Sequence, residues 1–220
     1  MKNLKTIALA FLAFTATTVA SAQTKKIDAS KSNITWVGKK VTGSHEGTIK
    51  FKEGTLTFKG AKLTGGNFVV NMASIEVTDL KAGEGKEKLE GHLKADDFFG
   101  TEKFPLGTLK FTKVAAKQNG IYTVTGDLTL KGITKPITFD MTIKGSKATA
   151  ALVVDRTKYD IKYCSGSFFD GVGEKAFYDN FDIEVEAEVV NPIQAESTSS
   201  ITTPQETVVS EKEEEKIVFT

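Results

Sequence analysis

His92 lies four residues before Asp96 and five before Asp97, in the stretch LEGHLKADDFF at 89–99. On a helix the i, i+4 spacing puts an imidazole and a carboxylate on one face, as in many metal and acid–base sites. A hydrolase-like enzyme using His92, Asp96 and Asp97 is therefore the first function to weigh. The chain holds one other histidine, His45, and one cysteine, Cys164. Catalysis needs several convergent groups, and His45 belongs to a different loop. No recognised cysteine-hydrolase signature surrounds Cys164, and a lone thiol reads as a small buried hydrophobe. Aspartates where a helix ends more often bond nearby backbone N–H groups. The reading is wall, not engine: no catalytic residue, no metal ligand and no cofactor are assigned.

The elements that must hold this wall are strands. All 19 glycines fall between Gly38 and Gly173, punctuating short alternating runs, the pattern of an antiparallel meander. IYTVTGDLTLK puts Tyr122, Val124, Leu128 and Leu130 on one face and Thr, Asp and Lys on the other. ITFDMTIK repeats this with Ile137, Phe139, Met141 and Ile143, and FDIEVEAEV with Phe181, Ile183, Val185, Ala187 and Val189. Side chains change face at each strand residue, so each run has one dry side and one charged side. Further strands are expected around Asn33–Val37, Thr48–Phe51, Thr55–Phe58, Asn67–Val77, Thr108–Val114 and Ala148–Asp155. A tight turn is expected within KGITKP, with Pro136 opening the next strand. One helix is expected over Lys86–Ala95. There is no βα alternation, no P-loop and no dinucleotide fingerprint.

The fold class is all-β, an eight-stranded antiparallel barrel with one short helical segment. Closure removes the exposed edges, and about eight strands leave room for side chains and one slender ligand. A sandwich is the competing architecture. An outer-membrane barrel would turn the apolar face to lipid, but one Trp and four scattered Tyr make no aromatic girdle.

The two ends differ from the middle. Met1 to Ala22 carries Lys2, Lys5, an apolar run from Ile7 to Phe14 and a closing ASA, the layout of a signal peptide. The run is too short for a membrane span, so the chain is expected to be periplasmic or secreted after cleavage near Ala22. Residues 192–220 are Ser-, Thr- and Glu-rich and are expected to form a disordered acidic tail. The domain is placed at 23–191. Two leader lysines, and six glutamates against two lysines in the tail, leave about +3 in the middle of a total of +1. That is too little for a nucleic-acid partner, and one cysteine makes no internal disulfide.

Four stretches are more specific: SKSNITWVGKKVTGSHEGTIKF (30–51), LEGHLKADDFFGTEKFP (89–105), YTVTGDLTLKGITKPITF (122–139) and DRTKYDIKYCSGSFFD (155–170). Together they resemble the YceI-like family over about Lys26 to Val190. The resemblance implies a lipocalin-like barrel that holds a long isoprenoid or other lipid chain inside. Cys164 departs from it, standing where a small, glycine-like residue is usual.

Strand phase and position give the expected ligand-binding lining: Trp36, Phe51, Phe58, Leu109, Phe111, Tyr122, Leu128, Leu130, Ile137, Phe139, Met141, Phe168, Phe169 and Phe181. The six aromatics Trp36, Phe51, Phe58, Phe111, Phe139 and Phe181 are expected on separate strands, and Phe98 and Phe99 at one end of the barrel. Arg156 is a further candidate, meeting a polar lipid head, against a plainer ion pair with Asp155 or Asp160. The function expected is an exported carrier of a long apolar, polyisoprenoid-like lipid. The alternatives are a structural or stress-related barrel with a filled interior and the enzyme above. A homodimer stands beside a monomer as the assembly.

Overall fold

A computed structural model of the chain describes residues 21–190. The expected leader, apart from Ser21 and Ala22, and the expected tail lie outside the described residues. Eight strands and one helix follow in order: β1 (Ala22–Lys40), β2 (Gly43–Lys59), β3 (Lys62–Val77), α1 (Lys86–Lys94), β4 (Leu106–Ala116), β5 (Ile121–Leu130), β6 (Ile133–Lys144), β7 (Lys147–Asp155) and β8 (Phe177–Val189). Each strand pairs antiparallel with the next, and β1 pairs with β8 to close the barrel. The sandwich is thereby excluded. Every strand turns a run of apolar residues inward, while most Lys, Thr, Asp and Glu point outward together with a few apolar residues such as Val153 of β7. The dry face is the interior, not a lipid-facing exterior. No described helix is long and apolar enough to cross a membrane.

Strand alternation sets the two ends. One end, the cap end, carries the β1–β2 and β5–β6 turns, the β3–α1–β4 crossing and the long β7–β8 connection. The other end carries the β2–β3, β4–β5 and β6–β7 turns.

Two expectations change. Thr48–Phe51 and Thr55–Phe58 are one strand, so Phe51 and Phe58 share β2 rather than lying on separate strands. A bulge between Phe51 and Glu53 breaks the register against β3. The extra residue keeps Phe51, Leu56 and Phe58 all inward despite their odd spacing. Pro136 does not open β6 but is its fourth residue, opposite Asp127 of β5. The turn comes earlier, at Lys131 and Gly132, both with positive φ of 49° and 74°, as a two-residue hairpin demands. Pro136 is tolerated because β6 pairs with β7 only from Met141 to Lys144. Its missing N–H costs no ladder bond on that side.

The same pairing list exposes two open seams toward the cap end. β4 meets β3 only along Asn67–Asn71, and α1 packs on β3 beside the stretch left uncovered. Between β6 and β7 the cap-end half is unpaired, and the short helical turn Arg156–Tyr159 lies against β6 there.

Adjacent glycines show how tightly the wall is packed. A Cβ on Gly66 of β3 would stand 2.7 Å from the Phe111 ring, whereas one on Gly65 would make ordinary contact with Thr57 at 3.6 Å. Gly66 is what lets the Phe111 ring lie flat against the sheet. Gly66→Ala should therefore cost about 1–3 kcal/mol through overpacking. Gly65→Ala should stay within about 0.5 kcal/mol of the parent. Urea denaturation midpoints of the two variants check the contrast.

Candidate functional site

The interior is packed as two apolar clusters. One fills the end away from the cap with Leu56, Phe58, Leu63, Phe111, Tyr122 and Val124 among others. The second lies under the cap, with Trp36, Met72, Ile75, Leu93, Phe98, Tyr159 and Ile161. A cavity of about 170 Å³ runs between them. Aromatic groups bound it on both sides. Phe51, Phe68, Phe111 and Phe139 form a file with ring centroids 5.6–6.1 Å apart. Toward the cap, Phe98, Phe99 and Phe181 meet at 5.2–6.1 Å. Pairs at such separations gain beyond simple area burial.

β8 contributes Phe181, Ile183, Val185 and Ala187 to the lining, every second residue as strand geometry requires. Six residue steps correspond to roughly 20 Å of strand. The lining is apolar apart from Thr108 and Arg156. A site of this kind offers no nucleophile, base or metal ligand. It offers shape, and the removal of apolar surface from water.

The expected lining residues divide into three groups. Trp36, Phe51, Leu109, Leu128, Leu130, Phe139, Met141, Arg156 and Phe181 border the cavity. Phe58, Phe111 and Tyr122 point inward but fill the far cluster instead, and Ile137 packs against both clusters without reaching the cavity. Phe168 and Phe169 stand outside it altogether, half exposed. They follow a bend in the β7–β8 connection, where strand phase does not apply. Phe68, Met72 and Ile75 of β3, and Ala148, Ala150 and Leu152 of β7, border the cavity without having been singled out. β7 reads ATAALVV, apolar at five consecutive positions after Thr149, so residue type does not separate its inward from its outward side chains. β3 was masked by its bulge: register against β2 shifts between Lys50 and Thr48, and Met72 and Ile75 both face inward across the break.

His92, Asp96 and Asp97 share no pocket. Asp96 pairs with Lys103. His92 has Asp97 at 3.7 Å and lies edge-on to Tyr163 at 4.3 Å and Phe98 at 5.3 Å. None of the three borders the cavity. His45 is elsewhere, joined by Nδ1 to Asp79 at 2.8 Å. Burial alone would raise the Asp79 carboxyl, but hydrogen bonds from His45 and from the Glu46 N–H outweigh it and hold the group below its ordinary value.

Among the described residues Arg156 is the one fully buried charge of the cap, 1% exposed. Its Nε donates to the Tyr178 carbonyl at 3.1 Å, one terminal nitrogen to Ile161 at 2.7 Å and the other to Phe177 at 3.2 Å. Asp179 supplies a counter-charge at 3.6 Å, and the Phe98 ring lies 5.9 Å from the guanidinium carbon. Neither Asp155 nor Asp160 is its partner. Asp155 caps the helical turn by accepting from Thr157, and Asp160 pairs with Lys162. Burial lowers the Arg156 pKa and Asp179 opposes the shift, yet arginine stays charged. The fork spans the start and end of the β7–β8 connection and ties both to one point above the cavity.

The family model for the YceI-like domain matches residues 26–189. The chain belongs to the YceI-like family. Among curated relatives, a UPF0312 protein of Shewanella denitrificans is 41% identical over 86 residues, 39% of this chain and 42% of that one. Protein YceI of Escherichia coli O157:H7 is 34% identical over 102 residues, 45% of this chain and 49% of the relative. The chain thus spans about half the length of the curated relatives it matches. Among solved structures, BcnA of Burkholderia cenocepacia has a TM-score of 0.60 at 23% identity, covering 75% of this chain and 99% of that one. A polyisoprenoid binding domain from Saccharophagus degradans, implicated in plant cell wall breakdown, has a TM-score of 0.53 at 14% identity, over 76% and 98%. These two share the fold.

In this YceI-like chain, Cys164 adopts a left-handed backbone with φ 47°. That conformation is one glycine takes without strain and a side chain adopts only at a cost. Cys164 is half-buried rather than buried.

Two predictions concern the cap. Arg156→Met should cost about 3–5 kcal/mol, because three carbonyls and Asp179 lose their partner together. Arg156→Lys should recover little, since one ammonium cannot span the fork; denaturant titration reads both. Tyr159 is the second case. Burial first, and Asp155 second, push its phenol from 10.0 up to about 12. Below the unfolded value both states keep the proton. Between pH 10 and about 12 the unfolded chain releases it while the folded protein holds it, so stability falls as pH rises through that window. Tyr159→Phe should flatten this part of the stability profile.

Proposed function

We propose that this protein is an exported carrier, periplasmic or secreted, that holds a long apolar, polyisoprenoid-like lipid inside its barrel. The observation that carries the reading is the cavity between two aromatic files, with a lining that contains only two polar residues. The fold shared with a polyisoprenoid binding domain supports the class of guest. No reaction is assigned. Affinity would come from burying hydrocarbon at about 25 cal/mol per Å², and discrimination from the width and length of the slot. Arg156 already spends a hydrogen bond from each of its nitrogens on backbone carbonyls. A polar head is therefore expected outside the barrel, and the residues bordering the cavity are the proposed binding residues.

A second reading follows from the cavity's size. About 170 Å³ is close to the roughly 150 Å³ that takes one benzene in an engineered apolar void. It falls below the range of about 300–1,000 Å³ usual for ligand sites. A structural barrel with a filled interior fits that volume. On the carrier reading, side chains of the aromatic files must turn aside as the guest enters.

Native mass spectrometry with organic extraction, on protein purified from its own host, separates the two. A bound lipid of defined mass supports the carrier, and its absence supports the filled barrel. Ala150→Leu then tests the site. Ala150 borders the cavity from β7, and the added branch occupies the slot. It should lower retained lipid at least about tenfold for about 1.4 kcal/mol of lost binding, at a folding cost of about 1–3 kcal/mol.

A further inference from the structure

Among the described residues, every large apolar side chain left well exposed lies at the cap end. Val41 is in the β1–β2 turn, Val153 near the end of β7 and Tyr178 at the start of β8. Tyr163, Phe168 and Phe169 are in the β7–β8 connection between them, and Leu106 starts β4 across the barrel. Phe168 and Phe169 are 52% and 50% exposed, as adjacent rings on one bend. Scattered exposed hydrophobics need no explanation, but confinement to one end does.

These side chains also connect inward. Tyr163 stacks on His92, His92 on Phe98, and Phe98 on both Phe99 and Phe181, the last two of which border the cavity. An aromatic path therefore runs from the exposed loop to the cavity wall. Beside it lies the unpaired half of the β6–β7 seam, whose inner faces, Phe139 on β6 and Leu152 and Val154 on β7, border the same cavity.

We infer that the cap end docks on the surface of a lipid bilayer and that Phe168 and Phe169 insert there. The inference rests on the carrier reading, since docking puts the guest's source against the end that contributes Leu93, Phe99, Arg156 and Ile161 to the cavity lining. Charge decides which surface fits. From Val153 to Tyr178, with the buried Arg156 set aside, three cations (Lys158, Lys162, Lys175) stand against four acids (Asp155, Asp160, Asp170, Glu174), a net of −1. Such a segment gains nothing from an anionic leaflet and suits a zwitterionic one. Lys162 sits 5.1 Å over the Phe168 ring, so its ammonium can remain among head groups while its stem and the ring go deeper. An end built of turns also presents backbone N–H and C=O groups that need polar partners. Hydrated head groups supply them, whereas a dry interface with a second copy would not.

Flotation with vesicles of phosphatidylcholine alone, and of phosphatidylcholine with phosphatidylglycerol, tests this on the purified protein. The protein should float with both, differing less than about twofold. The Phe168→Ser/Phe169→Ser double variant should lose about tenfold or more, as expected where two buried rings are removed. Both rings are exposed, so its denaturation midpoint should match the parent's. Failure of the parent to float overturns the inference. So does flotation only with the anionic vesicles, or a double variant that turns a dimer into a monomer while floating as before. Native mass spectrometry of the same preparations reports the guest separately. Guest retained without flotation removes the docking surface and leaves the carrier. Flotation lost in the double variant with its guest retained supports the surface.

Discussion

Closing a sheet on itself forces every second side chain into one shared interior, and the filling of that interior governs the rest of this molecule. Eight strands enclose a space that side chains nearly fill. Here the filling is uneven. Large rings of β2, β3, β4 and β6 crowd the end away from the cap, while Ala148, Ala150 and Ala187 leave space alongside them. Small residues on β7 and β8 opposite large ones on β2 and β3 are what leave a slot rather than a solid core. The glycines belong to the same account. Gly66 makes room for the Phe111 ring on the inner wall, and without that room the rings would push into the slot.

The cap follows from the needs of the barrel end. A connection of more than twenty residues joins β7 to β8, and a segment of that length has many backbone groups to satisfy. Arg156 gathers one of their carbonyls, that of Ile161, together with those of Phe177 and Tyr178 at the start of β8, at one buried point. A buried cation is costly unless fully bonded, so its value here is in fixing one arrangement of the loop over the cavity. Replacing a hydrocarbon side chain by arginine would make no sense for packing alone. The charge is the anchor.

Much of this was legible in the sequence, and the failures have physical causes. Alternation over β5, β6 and Phe181–Val189 of β8 fixes which side chains face inward because the extra residues at the neighbouring register shifts lie in β1, in β4 or before Phe181. β2 and β3 each contain a bulge, and one extra residue reverses the phase on its far side. That is why β2 read as two strands and why Met72 and Ile75 escaped notice. Facing inward is also not the same as bordering a cavity. Phe58, Phe111 and Tyr122 obey the alternation but lie at a depth where no space remains, and depth depends on stagger between strands, which local pattern does not carry. Phe168 and Phe169 differ for a third reason: strand phase places them in the lining, but they lie between β7 and β8 where no strand imposes a phase. Arg156 could be picked out as unusual, but its partners could not. They are carbonyls of residues up to 22 positions away, invisible to any pattern of side-chain types.

Size and chemistry of the slot together limit what it can select. An apolar lining cannot strongly tell one hydrocarbon from another by contact alone, since a single methylene is worth about 1–3 kcal/mol at best. Selection then rests on cross-section and length. The rings on both sides of the cavity narrow it, which disfavours bulky fused-ring guests and favours one flexible chain. Length is limited differently at the two ends. Away from the cap, several layers of packed side chains from Leu56 to Val124 would have to be displaced together, and a close-packed interior resists that. Toward the cap the lining ends on Leu93, Phe99, Arg156 and Ile161, carried by a short helix and the connections beside it. On the proposed carrier function, a chain longer than the slot would extend past the cap, with its head group at the same end as the exposed aromatics.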